Sequence, residues 1–469
     1  AWDSMGGGTA GGRPPRGAAG RKGSRPSPQT RLCRTVTGAA LFLLVLYYYL
    51  GWALNVSDAP AQPAAPPRPK ANQEPADAGA GPAGSLRGAE AKPAPVATPK
   101  PAFSAAAAGG SATQLEFWVN VAKELAKLPA ADVLTVLAGQ DPFGVRTFEQ
   151  QLVTAETEKG RTLQPGELQE LFGCPADAAR VTLPDLRDHQ TAAAFREGTP
   201  DSWLFFQHLR KAGGTGFCTL AEKNMARKEV PRYYCMPDMG WEGGWQQHQA
   251  GFLSHWSNEE ITRRMREKGH RIAGNEWDRF AQRHFDLPGA IFATSFRKPL
   301  DRALSQFRFE CAEHRGCRHE VPETWWPVRQ DLWNVYTLTF ADEAPRKVYW
   351  TKPDMAQKRA NMMETAVRTL SRYNLVLAME WLAYAGPQVT SVLGFEDTTT
   401  LTKRVRPHIN QAQREGGNSV EGAASVRDHA WRPEDKLDPA LFKTMSESLA
   451  MDEILTDVAR RMFLERLAC

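Results

Sequence analysis

The beginning of the chain is most informative in what it lacks. Residues 36–54 contain no charged side chain, residues 1–35 contain a single acid, Asp3, and residues 55–112 contain a single aromatic residue, Phe103. A segment almost free of aromatic residues cannot bury enough apolar surface to offset the entropy of ordering the chain. These three scarcities predict that the first 112 residues hold no folded globular domain.

The uncharged stretch is long enough to cross a lipid bilayer. In a helix, residues 36–54 would span roughly 28 Å, close to the ~30 Å hydrocarbon core. Residues 1–35 carry seven lysines and arginines against one acid, whereas the whole chain has a net charge of only +5. By the positive-inside rule we predict a single-pass type II signal anchor with a cytoplasmic tail. A signal peptide cleaved near residues 59–61 is the alternative.

The excess of basic residues therefore lies in the N-terminal tail, where it indicates membrane orientation and not nucleic-acid binding.

Residues 55–112 are rich in Ala, Pro and Gly, which predicts a disordered and partly extended stem. Residues 113–200 begin with an amphipathic pattern and predict a helical pre-domain without visible chemistry. Residues 201–469 form the largest predicted domain.

A turn near residue 210 predicts an anion-binding site. The strand-like residues 203–206 precede Lys211-Ala212-Gly213-Gly214-Thr215-Gly216, and a helix-compatible stretch follows. Glycines allow the backbone to approach a ligand closely, and the start of a helix offers unpaired N–H groups and a positive dipole end. This is not a Walker A loop, because Lys211 precedes both glycines. An ordinary tight turn before a helix is the alternative interpretation.

A second strand-to-helix corner follows residues 290–295, which read as a buried strand. Pro299 suits the first turn of a helix, where its missing N–H has no intrahelical partner in any case. Arg297 would lie at the carboxyl end of the strand, with Arg302 and Ser305 on the helix behind it. A guanidinium and a hydroxyl can receive a second phosphate group. Solvated arginines on a surface helix are the alternative.

Together the two corners resemble the nucleotide-binding motifs of the membrane-anchored carbohydrate sulfotransferases. In that family a Pro-Lys-Thr-Gly-Gly-Thr-like loop holds the 5′-phosphosulfate of PAPS (3′-phosphoadenosine 5′-phosphosulfate), and an Arg-Asp-Pro-x-x-Arg-x-x-Ser segment holds the 3′-phosphate. The matching residues here are Lys211, Gly213, Gly214 and Thr215, then Arg297, Pro299, Arg302 and Ser305. Arg210, Ala212 and Lys298 depart from the pattern, and Lys298 would make the second phosphate region more cationic.

The resemblance extends downstream in the same order. Residues 373–382 resemble the late strand of the family, which ends in a glutamate, here Glu380. Residues 406–410 resemble its His-x-Asn loop, and residues 449–463 resemble its terminal helix with an Asp-x-x-Leu core. Residues 201–469 would then be the sulfotransferase catalytic domain, held off the membrane by the stem as in Golgi glycan-modifying enzymes.

The resemblance implies an α/β fold with a P-loop-like, mostly parallel central sheet flanked by helices. It implies transfer of a sulfuryl group from PAPS to a hydroxyl of a glycan or proteoglycan acceptor in the Golgi lumen, without a metal ion. The cofactor-binding residues would be Lys211, Ala212, Gly213, Gly214, Thr215, Gly216, Arg297 and Ser305. An inactive glycan-binding protein is the alternative, and a nucleotide-dependent kinase is a further one that lacks a recognisable magnesium-binding motif.

The family also implies two catalytic roles. Lys211 would neutralise charge on the bridging oxygen of the leaving phosphate. In related enzymes a Gly-His segment before the second motif supplies the base, and here the nearest ionisable residue in that segment is Glu276. A structural carboxylate is the competing interpretation of Glu276, and His255, with His248 behind it, is the rival base.

Seven cysteines are present, and six of them follow the predicted anchor, in a compartment that favours disulfides. Cys218 with Cys235, and Cys311 with Cys317, are plausible pairs, although sequence alone does not fix connectivity. Cys311, His314, Cys317 and His319 also have spacings that a zinc ion tolerates, which is the alternative to the second disulfide.

Overall fold

The computed structural model describes residues 114–173, 186–241, 252–276, 278–313, 319, 321–343, 355–402 and 437–469. The predicted tail, membrane anchor and stem lie outside these ranges, as do His248 and the predicted His-x-Asn loop. Within these ranges, no helix has both the length and the hydropathy needed to cross a membrane.

A four-stranded parallel sheet forms the centre of the molecule. Its strands are β1 (Trp203–Gln207), β2 (Ile272–Asn275), β3 (Ala290–Phe296) and β4 (Leu375–Ala378). All residues of β1, β2 and β4 are buried, as expected for a parallel sheet that is covered on both faces. The predicted α/β fold, with a mostly parallel sheet flanked by helices, is confirmed, and β1 and β3 lie where the sequence placed strands.

The helices account for most of the remaining described chain. They are α1 (Gln114–Lys127), α2 (Ala130–Gln140), α3 (Val145–Lys159), α4 (Pro165–Phe172), α5 (Leu186–Arg196), α6 (Gly214–Asn224), α7 (Asn258–Lys268), α8 (Pro299–Phe307), α9 (Pro322–Trp325), α10 (Val335–Phe340), α11 (Ala356–Ser371), α12 (Gly386–Leu393), α13 (Pro439–Ser448) and α14 (Ala450–Ala468). Short 3₁₀ turns cover Leu253–His255 and Met379–Tyr384.

The strand order β2-β1-β3-β4 creates a crevice at one edge of the sheet. The chain passes from β1 outward to β2, then crosses back over β1 to β3, so the direction of winding reverses between β1 and β3. At the carboxyl end of this pair, Gln207 lies opposite Thr294. The segments that follow two such strands turn away from each other, and ligands of open α/β sheets bind in the crevice between them.

The N-terminal helices share one hydrophobic core with the sheet. Trp118 of α1 and Phe148 of α3 are buried in the same cluster as Phe206 of β1 and Phe463 of α14. Helix α1 packs against α11, and α14 packs against β4 as well as α1 to α4. The amphipathic pattern that begins near residue 115 therefore covers the same core that supports the sheet.

Helices α10 and α14 cap each other at their N-termini. The carboxylate of Asp452, in the predicted Asp-x-x-Leu segment, accepts backbone N–H groups of Tyr336 at 3.1 Å and Thr337 at 2.8 Å. In return, the side-chain oxygen of Asn334 accepts the backbone N–H groups of Met451 at 3.0 Å and Asp452 at 3.1 Å. Each side chain satisfies amides that have no partner within their own helix, so this aspartate has a structural role.

One of the two predicted cysteine pairs is present within the described residues. Cys218 of α6 is bonded to Cys235, with a Cα–Cα distance of 5.7 Å. Cys311 and Cys469 also form disulfides, whereas Cys317 lies outside the described residues. A disulfide-bonded Cys311 has no thiolate to offer a zinc ion, so the alternative zinc site loses one of its four ligands.

Candidate functional site

The corner between β1 and α6 has the backbone of a ligand-binding turn. Strand β1 ends at Gln207, and α6 begins at Gly214 with no side chain capping its first amides. These amides have no partner within the helix and point away from it. Lys211 and Gly213 have positive φ angles of 66° and 93°. A lysine held in the left-handed region is uncommon and costs about 1–2 kcal/mol.

Packing already accounts for the two consecutive glycines. A Cβ at Gly213 would lie 2.2 Å from the sulfur of Met379, and a Cβ at Gly214 would lie 1.6 Å from Nε2 of His208. Both distances are far below van der Waals contact, so a side chain at either position would displace its neighbour whether or not a ligand binds. The tight-turn interpretation thus explains the glycines, but it leaves the left-handed Lys211 unexplained.

The corner between β3 and α8 touches the first corner directly. Arg297, which follows β3, donates a hydrogen bond from Nη1 to the carbonyl oxygen of Lys211 at 3.4 Å. The hydroxyl of Ser295 donates to the carbonyl oxygen of Ala212 at 2.5 Å. Pro299 begins α8 as the sequence predicted. The two segments singled out from the sequence therefore lie side by side at the crevice between β1 and β3.

The other two members of the second motif lie on α8 and are buried. Arg302 is 1% exposed, and its guanidinium donates to the carbonyl oxygen of Leu332 at 2.9 Å. It also lies 5.4 Å from the ring centroid of Tyr336. Ser305 is buried. Its hydroxyl makes no hydrogen bond to the part of the chain that the structure describes. Arg297 is thus the arginine of this motif at the strand end, whereas Arg302 has partners inside the protein.

Lys298 does not contribute the additional cationic character predicted from the sequence. Its ammonium lies 3.0 Å from a carboxylate oxygen of Glu149 in α3, so its charge is compensated. Its backbone N–H donates to Glu380 at 2.7 Å. Glu380 follows β4, as the sequence predicted for the late strand, and it therefore joins the end of β4 to the end of β3.

The candidate base Glu276 lies at the same edge of the sheet, directly after β2. The side-chain amide of Asn275 donates to the side-chain oxygen of Gln207 at 2.9 Å, which ties the ends of β2 and β1 together. One carboxylate oxygen of Glu276 lies 3.9 Å from Nε2 of His208. Glu276 is therefore close to the turn that precedes α6, where a group acting on a bound ligand has to lie.

His208 is the buried neighbour of this carboxylate. Burial lowers the pKa of His208, Glu276 partly opposes that change, and the charges of Arg210 and Lys211 add to it. The imidazole is therefore neutral at physiological pH. Its Nδ1 atom is sealed from solvent without a hydrogen-bond partner among the described residues. The sequence contained His208 within the turn but gave it no role.

The rival base is less well placed. His255 is exposed at the end of a 3₁₀ turn, and its ring stacks on Phe252 with centroids 5.4 Å apart. No hydrogen bond, ion pair or ring contact within the described chain joins it to the turn between β1 and α6. Of the two candidates that the structure describes, Glu276 is the one beside that turn.

Two further residues lie beside the first corner, the aromatic Phe309 and the acidic Glu310, and the sequence predicted neither of them. The ammonium of Lys211 lies 4.1 Å above the ring of Phe309, and the guanidinium of Arg210 lies 5.5 Å from the same ring. Glu310 is paired with Arg329 and lies 4.0 Å from Arg210. Burial lowers the pKa of Arg210 to about 10, although Glu276 acts in the opposite direction. Arg210 remains a cation at neutral pH.

Sequence reasoning missed Phe309, Glu310 and Arg329 because no local pattern marks them. Phe309 and Glu310 lie in a π-helical turn after α8, and Arg329 lies between two short 3₁₀ turns. All three reach the first corner only through tertiary folding. No three histidine, cysteine, aspartate or glutamate side chains come together as a possible metal site within the described ranges.

Comparisons of the chain with protein-family models, with curated proteins and with solved structures find no match. The resemblance to carbohydrate sulfotransferases therefore stays a prediction from the two motifs.

Proposed function

We propose that this chain is a PAPS-dependent sulfotransferase with a P-loop-like core that modifies a hydroxyl of a glycan or proteoglycan. One observation carries the proposal: the two corners meet at the crevice between β1 and β3, where Arg297 lies 3.4 Å from the carbonyl oxygen of Lys211. PAPS carries anionic groups at both its 5′ and 3′ positions. Two anion-binding corners facing one crevice suit such a nucleotide, and a crevice of this kind is where open α/β sheets bind ligands.

Each corner would hold one end of the nucleotide. The open amides at the start of α6, with Ala212, Gly213, Gly214, Thr215 and Gly216, would hold the 5′-phosphosulfate. Arg297 would bind the 3′-phosphate through its guanidinium, assisted by the hydroxyl of Ser305.

The reaction would be an in-line displacement at sulfur. The acceptor hydroxyl oxygen forms a bond to sulfur, the bond from sulfur to the bridging oxygen breaks, and adenosine 3′,5′-bisphosphate leaves. Glu276 takes the hydroxyl proton, and Lys211 compensates the charge that develops on the leaving phosphate. Catalysis then rests on positioning and on electrostatic stabilisation, as in phosphoryl transfer.

The proposed location is the Golgi lumen, with residues 36–54 as a type II anchor. The disulfide between Cys218 and Cys235 supports an oxidising compartment for the folded part of the chain. An inactive glycan-binding protein is the second candidate, because packing against Met379 and His208 accounts for Gly213 and Gly214 without a ligand.

The test uses the full chain in detergent, radiolabelled PAPS and a panel of glycan acceptors. We expect label transfer to at least one acceptor, and loss of transfer in Lys211→Ala with an unchanged melting temperature. Lys228→Ala is the matched control, since Lys228 is exposed on a turn after α6. Failure of the wild type to bind adenosine 3′,5′-bisphosphate would refute the proposal. Nucleotide binding without transfer to any acceptor would favour the inactive candidate.

A further inference from the structure

Helix α3 lies in the segment where the sequence showed no chemistry, yet the carboxylate of its Glu149 lies beside the second corner. One oxygen of Glu149 lies 3.0 Å from the ammonium of Lys298, directly after Arg297. The other oxygen lies 3.0 Å from the guanidinium of Arg460 in α14. Glu149 therefore bridges the loop after β3 and the terminal helix.

Both partners of Glu149 are cations, so the carboxylate is ionised. Burial alone would raise the pKa of Glu149, but Arg460 and Lys298 lower it to about 2. Arg460 is 3% exposed, so it cannot exchange this partner for solvent. Arg460 also lies 3.8 Å from Asp457, so α14 keeps it in place beside Glu149. The side chain of Lys298 is 42% exposed, so Arg460 is the buried end of the bridge and Lys298 the end nearer to solvent.

The same network fixes the backbone on either side of Arg297. The carbonyl oxygen of Arg297 accepts a hydrogen bond from the hydroxyl of Tyr336 at 3.1 Å. The next N–H group, of Lys298, donates to Glu380 at 2.7 Å. The guanidinium of Arg460 lies 4.2 Å above the ring of Trp381, the neighbour of Glu380. The loop after β3 is thus held by α10, by the turn after β4 and, through Glu149, by α3 and α14.

We propose that Glu149 is a positioning residue for the 3′-phosphate half of the nucleotide site. It does not touch the nucleotide. It binds the side chain of Lys298 and so keeps Arg297 at the mouth of the crevice. The inference rests on the proposed function, and it means that the helical segment before residue 200 completes the nucleotide site of the following domain.

The experiment compares two nucleotides that differ in one phosphate. Adenosine 3′,5′-bisphosphate and 5′-AMP are titrated calorimetrically into the full chain in detergent, as wild type, Glu149→Gln and Arg297→Ala. Both variants should bind the bisphosphate about tenfold more weakly and 5′-AMP unchanged. The double variant should lose little more affinity for the bisphosphate than either single variant does. Both changes act on the same contact, the one between Arg297 and the 3′-phosphate.

Glu116→Gln is the matched control. Glu116 is a carboxylate of α1 paired with Arg368 of α11 at 2.6 Å, so this variant also removes an ion pair between an N-terminal helix and the core. No described contact joins that pair to the loop after β3. We expect Glu116→Gln to bind both nucleotides as the wild type does.

The outcomes separate the inference from the proposed function. If the wild type does not bind the bisphosphate, the proposed function fails. If the wild type binds it and Glu149→Gln binds it equally or more tightly, only the positioning role fails. Equal losses for both nucleotides would show a general structural role and would also overturn the inference.

Should Glu149→Gln not fold, Glu149→Asp keeps the charge but shortens its reach. It should show a smaller loss confined to the bisphosphate, and equal losses would overturn the inference.

Discussion

The two corners of the crevice are built in different ways. The backbone of the first corner is shaped within the turn itself, by left-handed conformations at Lys211 and Gly213 and by the ring of His208 packed on Gly214. Side chains from other elements, Ser295 and Arg297, then bind carbonyl groups of this turn. The second corner is assembled from distant parts of the chain. Its loop is held by Glu149, Glu380 and Tyr336, which come from three other elements.

This difference suggests a division of labour under the proposed function. The first corner, with Lys211 and the nearby Glu276, would hold the group that reacts. The second corner would hold the distant phosphate and so contribute mainly affinity. Substitutions at the first corner should therefore change turnover or folding, whereas substitutions that disturb the second corner should change nucleotide binding.

The largest expected effect is on turnover, and it concerns Glu276. Glu276→Gln keeps the shape of the side chain but cannot accept a proton, so kcat should fall about 10³-fold. Binding of adenosine 3′,5′-bisphosphate and the KM for PAPS should stay near wild type. Initial rates at saturating acceptor measure kcat and the KM for PAPS. Calorimetry measures the binding of adenosine 3′,5′-bisphosphate. His255→Ala should retain near-normal kcat, and the reverse pattern would assign the base to His255.

The next largest effect tests how local the first corner is. Gly214→Ala places a Cβ 1.6 Å from Nε2 of His208, and the clash should lower the free energy of unfolding by about 3 kcal/mol. Urea denaturation of the full chain in detergent measures this. Gly139→Ala is the control, because Gly139 lies within α2 with no atom within 4 Å of its added Cβ. That substitution should be neutral or slightly stabilising.

His208→Ala in the Gly214→Ala background provides a second check. It removes the ring that the new methyl group meets, so it should restore part of the lost stability. If Gly214→Ala is as stable as the wild type, the ring does not occupy the place that the structure gives it.

The sequence predicted the local features of the site well, and physical reasons account for this. Two apolar runs, a glycine pair and Pro299 define both strand-to-helix corners, because each signal depends on neighbours within a few residues. The parallel sheet was expected from the resemblance of the two corners to the sulfotransferase motifs. The pairing of Cys218 with Cys235 was among the plausible predicted disulfides, and the structure contains it.

The remaining features depend on contacts across the chain, which the sequence does not encode locally. Glu149 lies 149 positions before Lys298 and nothing around it marks a site; its role depends on how α3 packs. Phe309 faces Lys211 only because α8 continues into a π-helical turn. Arg302 matched a phosphate-binding motif, yet its guanidinium is used by Leu332 inside the protein.

The smallest expected effect concerns Asp452, which supports the second corner indirectly. Asp452 caps α10, and α10 carries the Tyr336 hydroxyl that holds the carbonyl of Arg297. Burial raises the pKa of Asp452 from 3.8 to about 6, although Arg302 and the helix amides oppose the change. Because the folded pKa is above the unfolded one, folding favours the protonated form. The resulting stabilisation is fully present below pH 3.8 and is lost as pH rises through 6.

Asp452→Asn removes this titration and should flatten the pH dependence of stability. Between pH 4 and pH 7, the decline in the free energy of unfolding should be smaller in the variant by on the order of 2 kcal/mol. Urea denaturation at unit pH intervals measures both curves. Glu149, with a pKa of about 2, does not titrate in this window and so contributes equally to both proteins. If the two curves of stability against pH are parallel, Asp452 is ionised across this range. The hydrogen bonds from the α10 amides would then favour its ionised form more strongly than burial disfavours it.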